Sequence, residues 1–243
     1  MDKNSLKKYL VYAIGEVLLV VFGILVALQI NSWNQQVQDR GKEKEYLASI
    51  KEDLITDTIN LGLILTEVEK NLDAAVTLIK FLNQPQQEFY DTTKIYEAIR
   101  YAGFLMTFET NSPTFDDLRS TGNLKLILNM ELKKSISSYY TSIESRKEYR
   151  HVWKTRVWED YWHERDEFIN SKLNAWWLNG YKRDLVPITL PTDFSISKEE
   201  AKDFLQALYN VVDITTFRRT TYSDIKLRAN ELIEKVEQAL ANK

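Results

Sequence analysis

Residues 10–30 read LVYAIGEVLLVVFGILVALQI, and only Glu16 and Gln29 interrupt their apolar character. As a helix this stretch would span roughly 31 Å, the thickness of a bilayer's hydrocarbon core. Val17 to Leu28 is an unbroken apolar run. Tyr9 and Tyr12 flank one end and Trp33 the other, as in an aromatic interface belt. A cleaved signal peptide is the rival reading. The stretch is too long for one, and no small-x-small pair follows it, since Ala27-Leu28-Gln29 runs straight into polar helical sequence. A buried core helix would lack the aromatic flanks. The pattern therefore predicts a short tail over 1–8 and a transmembrane helix over 9–33.

Within the predicted span, helical steps of about 100° align Tyr12, Glu16, Val20, Gly23, Ala27, Ile30 and Asn34 on one stripe. An ionised, unpaired carboxylate at such a depth costs on the order of 2.5–3.5 kcal/mol on insertion scales, so Glu16 asks for a partner. Small residues such as Gly23 and Ala27 let helix backbones approach, and polar groups bond across the contact. The stripe predicts self-association of the membrane helix. Glu16 could instead snorkel to the headgroups, about one and a half turns in from Lys8. Lys3, Lys7 and Lys8 before the span tie with Arg40, Lys42 and Lys44 after it. The first group abuts the membrane and first spans usually dominate, which places the N-terminus inside and the following domain outside.

The remainder of the 243-residue chain reads as helix. Gly (7) and Pro (4) are scarce, and sheets with their turns would need more of both. Over 34–83, Leu47, Leu54, Leu61, Val68, Ala75 and Leu82 recur every seventh residue. Ile50, Ile64 and Leu78 fill a second seam, with Asp57 and Asn71 as polar breaks. No proline precedes Pro85, so this helix can continue from the span, with Gly41 its weak point. A short-helix excursion follows over 84–128. In it Asp91 caps Thr92–Gly103, with Ile95, Ile99 and Phe104 on one side, and Ser112-Pro113 opens a second helix that Gly122 closes in a left-handed cap. Asn129 caps a long helix over 129–180, running to about Trp177 along Leu132, Ile136, Tyr139, Ile143, Trp153, Val157, Tyr161 and Phe168. An extended connector with Pro187 and Pro191 covers 181–197. The box Ser197-x-x-Glu200 opens a last helix over 198–243, which the β-branched run from Asp213 to Tyr222 should weaken or kink. The fold class is all-α, one N-terminal transmembrane helix followed by a long-helix antiparallel bundle. An intramolecular bundle explains the heptads better than an intermolecular coiled coil, because later segments offer matching helices.

Two blocks of this sequence resemble the signatures of an uncharacterised bacterial family of single-span membrane proteins, a domain of unknown function. The first is Tyr9-Leu-Val-Tyr-Ala-Ile-Gly-Glu16 with Ala27-Leu-Gln-Ile-Asn-Ser-Trp-Asn34. The second is Ser112-Pro-Thr-Phe-Asp-Asp-Leu-Arg-Ser-Thr-Gly-Asn-Leu-Lys-Leu-Ile127. Gln35 departs from the pattern, where an acidic residue is usual. The resemblance implies a bacterial membrane anchor and a helical domain, draws attention to Glu16, Asn34 and the Ser112–Ile127 segment, and carries no activity to transfer. With the charge rule, the expectation is a single-pass anchor in a bacterial inner membrane with the helical domain periplasmic.

No chemistry rises from the residues themselves. The absence of Cys excludes disulfides, thiol catalysis and Cys-based zinc sites. A net charge of -3 and the lack of reading motifs give no nucleic-acid partner. Glu159, His163 and Glu167 share a helix face, but that is too few ligands for a bundle metal site, and a solvated charged face explains them better. No catalytic, cofactor-binding or metal-binding residue is predicted, and the chain is not expected to be an enzyme. Trp176 and Trp177, near a helix end, are a candidate partner surface. Arg218-Arg219 reads as solvated surface. The expected role is a membrane-anchored helical scaffold that contacts lipid, self-associates and holds an envelope protein partner. The alternatives are an oligomeric channel with Glu16 facing the lumen, or a ligand-sensing domain working through a partner.

Overall fold

The computed structural model describes residues 3–83, 92–104, 106–145, 147–168 and 200–241, and these form an all-α fold. The first helix, α1, is unbroken over Lys3–Asn83. At 1.5 Å per residue it is roughly 120 Å long. Gly41 does not interrupt it. Among the described residues one helix is long and apolar enough to cross a membrane, and none of its apolar window is buried in the fold. From Tyr12 to Gln38 every residue is exposed, whereas from Glu43 onward one face is buried. A single helix thus carries both the predicted span and the seam of the bundle.

After α1 come α2 (Thr92–Ala102), α3 (Pro113–Ser120), a one-turn 3-10 helix (Asn123–Leu126), α4 (Met130–Glu144), α5 (Lys147–Phe168) and α6 (Glu200–Ala241). The 42-residue α6 lies antiparallel to α1: Arg219 meets Glu69 at 3.6 Å, and Glu237 meets Lys51 at 2.8 Å. The seam predicted from the heptads forms. Leu47, Leu54, Leu61, Val68, Ala75 and Leu82 are all buried. Two cores share this frame. The first joins Leu47–Val68 of α1 to α3, α4 and the second half of α6. The second joins Ala74–Leu82 of α1 to α2, α5 and the first half of α6.

Local signals place several ends. Gly122 adopts φ 72°, the left-handed conformation that a side chain would strain. Asn129 caps α4, its Oδ1 accepting the Glu131 and Leu132 N–H groups at 3.0 and 3.1 Å.

Four features differ from the sequence reading. The long helix beginning at Asn129 stops at Glu144, and α5 begins afresh at Lys147. Thr141, Ser142 and Ser145 turn their hydroxyls back onto carbonyls of the preceding turn, which weakens a helix. That stop falls where α4, in the first core, gives way to α5, in the second. The β-branched run of α6 causes no break: Thr215 and Tyr222 are buried there, and packing outweighs propensity. Phe104 is exposed rather than aligned with Ile95 and Ile99, because α2 ends at Ala102. Arg218 is buried, only 9% exposed, with its guanidinium 5.7 Å from the Tyr222 ring. Asp91, Trp176, Trp177, the connector and Ser197 lie outside the described residues.

Candidate functional site

Three polar side chains on the buried face of α1 repeat every fourteen residues: Glu43, Asp57 and Asn71. Fourteen residues are close to four helical turns, so all three face the same way. Each holds one stretch of the excursion between α2 and α4. The Asn71 amide donates to the carbonyls of Tyr101, Ala102 and Phe104 at 2.7, 2.8 and 3.0 Å, and its Oδ1 accepts from Thr215 at 2.8 Å. The Asp57 carboxylate accepts the Asn111 backbone N–H at 2.7 Å, the Thr110 hydroxyl at 2.5 Å and the Tyr139 hydroxyl at 2.8 Å. Glu43 accepts the Leu128 N–H at 3.0 Å and pairs with Arg40 at 2.6 Å. Residues 101–104 and 106–128 therefore run down α1 over roughly 42 Å of its length, tied at both ends and in the middle. Non-helical backbone buried against a helix needs such partners.

Asp53 adds a fourth tie, one turn before Asp57. Its carboxylate accepts the Asn111 side-chain amide at 2.9 Å and the Thr114 N–H at 3.2 Å. Thr114 lies in the first turn of α3, so α1 supplies the cap that Ser112 was expected to give. The Ser112 hydroxyl instead donates to Asp116 at 2.8 Å. A carboxylate at the positive end of a short helix is well placed electrostatically.

Burial pushes the Asp57 carboxyl above the usual range. Its three donors and the charge of Asp53 act in opposite senses on the remainder. Burial, and then the carboxylates beside them, push the Tyr139 and Tyr140 phenols up as well. Both stay protonated, which suits Tyr139 as a donor to Asp57. Tyr140 stacks on Phe115 with ring centres 4.7 Å apart, and its buried hydroxyl has no hydrogen-bond partner among the described residues. These rings back an open cleft of about 560 Å³ edged by Glu109, Asp116, Arg119 and Glu144. Arg119 bonds Glu144 at 3.0 Å and Asp116 at 3.3 Å, so much of the cleft's charge is answered within the chain.

The stripe over Tyr12, Glu16, Val20, Gly23, Ala27, Ile30 and Asn34 lies along the exposed first half of α1. Nothing lies within 4 Å of a Cβ built on Gly23 or Gly41, so the backbone there is open to approach. His163 and Glu159 are exposed on α5, and no group of three metal-ligating side chains occurs among the described residues.

The sequence profile of DUF6090, a family of unknown function, matches residues 16–186. The chain belongs to this family. No curated protein and no solved structure matches it. In this DUF6090 chain the match begins inside the apolar stretch and takes in the whole clamped excursion, while α6 lies beyond it. Sequence reasoning noted Asp57 and Asn71 only as polar breaks, and missed Glu43 and Asp53. Extending the Asp57–Asn71 spacing backwards by the same fourteen residues would have found Glu43.

Proposed function

We propose that this protein is a membrane-anchored helical scaffold that self-associates through α1. Its N-terminus lies in the cytoplasm and its bundle on the opposite side of a bacterial inner membrane. One observation carries the reading. About fifteen large apolar side chains between Tyr12 and Val37 stand exposed on a helix that is continuous with a well-packed bundle. Leaving that surface in water would forfeit on the order of tens of kcal/mol, at ~1.5–3 kcal/mol for each side chain. An apolar surface of this extent marks a membrane or partner contact. Its length and aromatic flanks favour lipid. Within lipid the Glu16 carboxyl and the Gly23–Ala27 pair favour a second helix. The bundle's clamped construction fits a rigid holder of an envelope partner, and no catalytic step is part of the proposal.

The test is extraction and mass. The full chain should stay with membranes at alkaline pH, leave them only in detergent, and show more than one copy by mass measurement in lipid nanodiscs. Protein recovered freely dissolved without detergent would end the anchor reading, and a strictly single-copy mass would end the self-association reading. Labelling of a single-cysteine bundle variant in spheroplasts by an impermeant maleimide checks the orientation.

A further inference from the structure

We infer that the self-association face of α1 does not end at the membrane but continues up the bundle, where a second copy of this chain covers Ile55, Ile59 and Leu63. The inference rests on the self-association reading and extends it to a specific surface.

Ile55, Ile59 and Leu63 are 38%, 59% and 63% exposed. They stand one turn apart on a helix whose other face is buried in the core, and no neighbour among the described residues covers them. Their position follows from the continuity of α1. Eighteen residues make about five turns of an α-helix, so residues eighteen apart lie on one line. Gly23, Gly41 and Ile59 form one such line. Ala27, Glu45 and Leu63 form the next, and Tyr12, Ile30 and Ala48 a third. Every member of these lines from Tyr12 onward is exposed. The buried residues Leu47, Leu54, Leu61 and Val68 fall on the opposite side, roughly 170° from the stripe by the same rule. The bundle therefore packs on the back of α1 and leaves its front clear from the membrane stripe to Leu63. Gly41 and Ala48 lower that front between the two apolar patches, and the exposed Glu45 and Glu52 that share it must turn their carboxylates outward to water where another helix lies against it.

A second copy is the fitting occupant because both ends of the face belong to one rigid element. Copies that insert in the same orientation and meet at Gly23 and Ala27 present their Ile59 side chains to each other at the same height. The claim is demanding. Two straight helices crossing at about 20° near Ala27 would be some 17 Å further apart at Ile59. Contact at both places, along a line that runs straight up the helix, requires the two α1 helices to lie almost parallel.

The chain contains no cysteine, so single substitutions report contacts against a clean background. Val20→Cys, Ile59→Cys and, as a control, the exposed cleft residue Glu144→Cys are oxidised in the full-length protein in lipid nanodiscs. All three are surface positions, and circular dichroism checks that helicity is kept. Disulfide-linked dimers should form for Val20→Cys and Ile59→Cys and be lost for Glu144→Cys. Linkage at Val20→Cys without Ile59→Cys overturns the inference and leaves membrane self-association standing. Linkage at Ile59→Cys alone overturns the continuous face. Linkage at neither position removes both readings, and equal linkage at all three positions shows random collision and overturns the inference.

Discussion

Replacing Asp57 tests the clamp most directly. Asp57→Ala removes the acceptor for the Tyr139 hydroxyl, which is fully buried, and for the Asn111 N–H, which is partly buried. The Thr110 hydroxyl is closer to water and can turn outward. A stranded buried donor costs about 1–3 kcal/mol. Against this, the variant no longer buries a carboxylate, which returns some desolvation energy. The net expectation is a loss of about 2–4 kcal/mol, or a fall in melting temperature of roughly 4–16 °C for a chain of this size. Asp57→Asn should behave differently. Its carbonyl oxygen can still accept the Asn111 N–H, and its amide can donate to the two hydroxyls once they rotate. Its expected cost is under ~1 kcal/mol. Thermal melting of the full chain in detergent, followed by circular dichroism, gives the global effect. Hydrogen exchange gives the local one: in Asp57→Ala, protection should fall over residues 106–118 more than over residues 95–102. An alanine variant that melts within about 1 °C of the parent, or an asparagine variant as damaged as the alanine one, would refute the clamp.

Further expectations concern the same frame. Because burial raises the Asp57 pKa above its ordinary 3.8, the folded state holds that proton more tightly than the unfolded chain. The contribution is full below that value and is lost as pH rises through the folded pKa, and Asp57→Asn should flatten this part of the stability–pH curve. A Cβ at Gly103 would collide with the ring of Tyr161, whose hydroxyl is fixed to the Ile99 carbonyl at 2.6 Å. Gly103→Ala should therefore lose about 1–3 kcal/mol in denaturant titrations, and much less when Tyr161→Ala is also present. Asn71→Asp keeps the shape but turns a carboxylate oxygen onto three carbonyl oxygens, so it should destabilise the fold by about 3–5 kcal/mol, more than Asn71→Ala, in the same titrations.

What the sequence revealed follows the range of the forces involved. The apolar run, the heptads, the Asn129 cap and the Gly122 turn are set within a few residues, and a linear reading finds them. The ties that Glu43, Asp53, Asp57 and Asn71 make across the fold join residues 30 to 144 positions apart. About half of their partners are backbone groups, which every residue carries, so no side-chain pattern marks those ties. Ser112 shows the limit well. Its type and the following Pro113 mark a helix start, which is where α3 begins, yet the capping group comes from Asp53 on another helix. Arg218 misled for a related reason. Two adjacent arginines look like surface, but α6 turns one towards Tyr222 and the other towards Glu69.

The same polar residues decide which face of α1 is free for a partner. Read as a linear pattern, the seam through Leu47, Leu54 and Leu61 could serve a parallel coiled coil between two copies. In such a dimer the Asp57 carboxylates of both copies would lie in the dry interface facing each other, and the Glu43 carboxylates would do the same. Like charges placed so repel; Asp57 would find no donor there, and Glu43 only Arg40 of its own helix. Within one chain each carboxylate meets N–H or O–H groups instead: Asp57 takes three and Glu43 takes Leu128 and Arg40. Charge thus assigns this seam to the chain's own bundle, even though its apolar residues alone would suit either arrangement. The opposite face has no such assignment. It carries Ile55, Ile59 and Leu63 beside the exposed Glu45 and Glu52, whose carboxylates, unlike that of Asp57, can turn to water, and it is the face that continues into Ala27, Gly23 and Glu16.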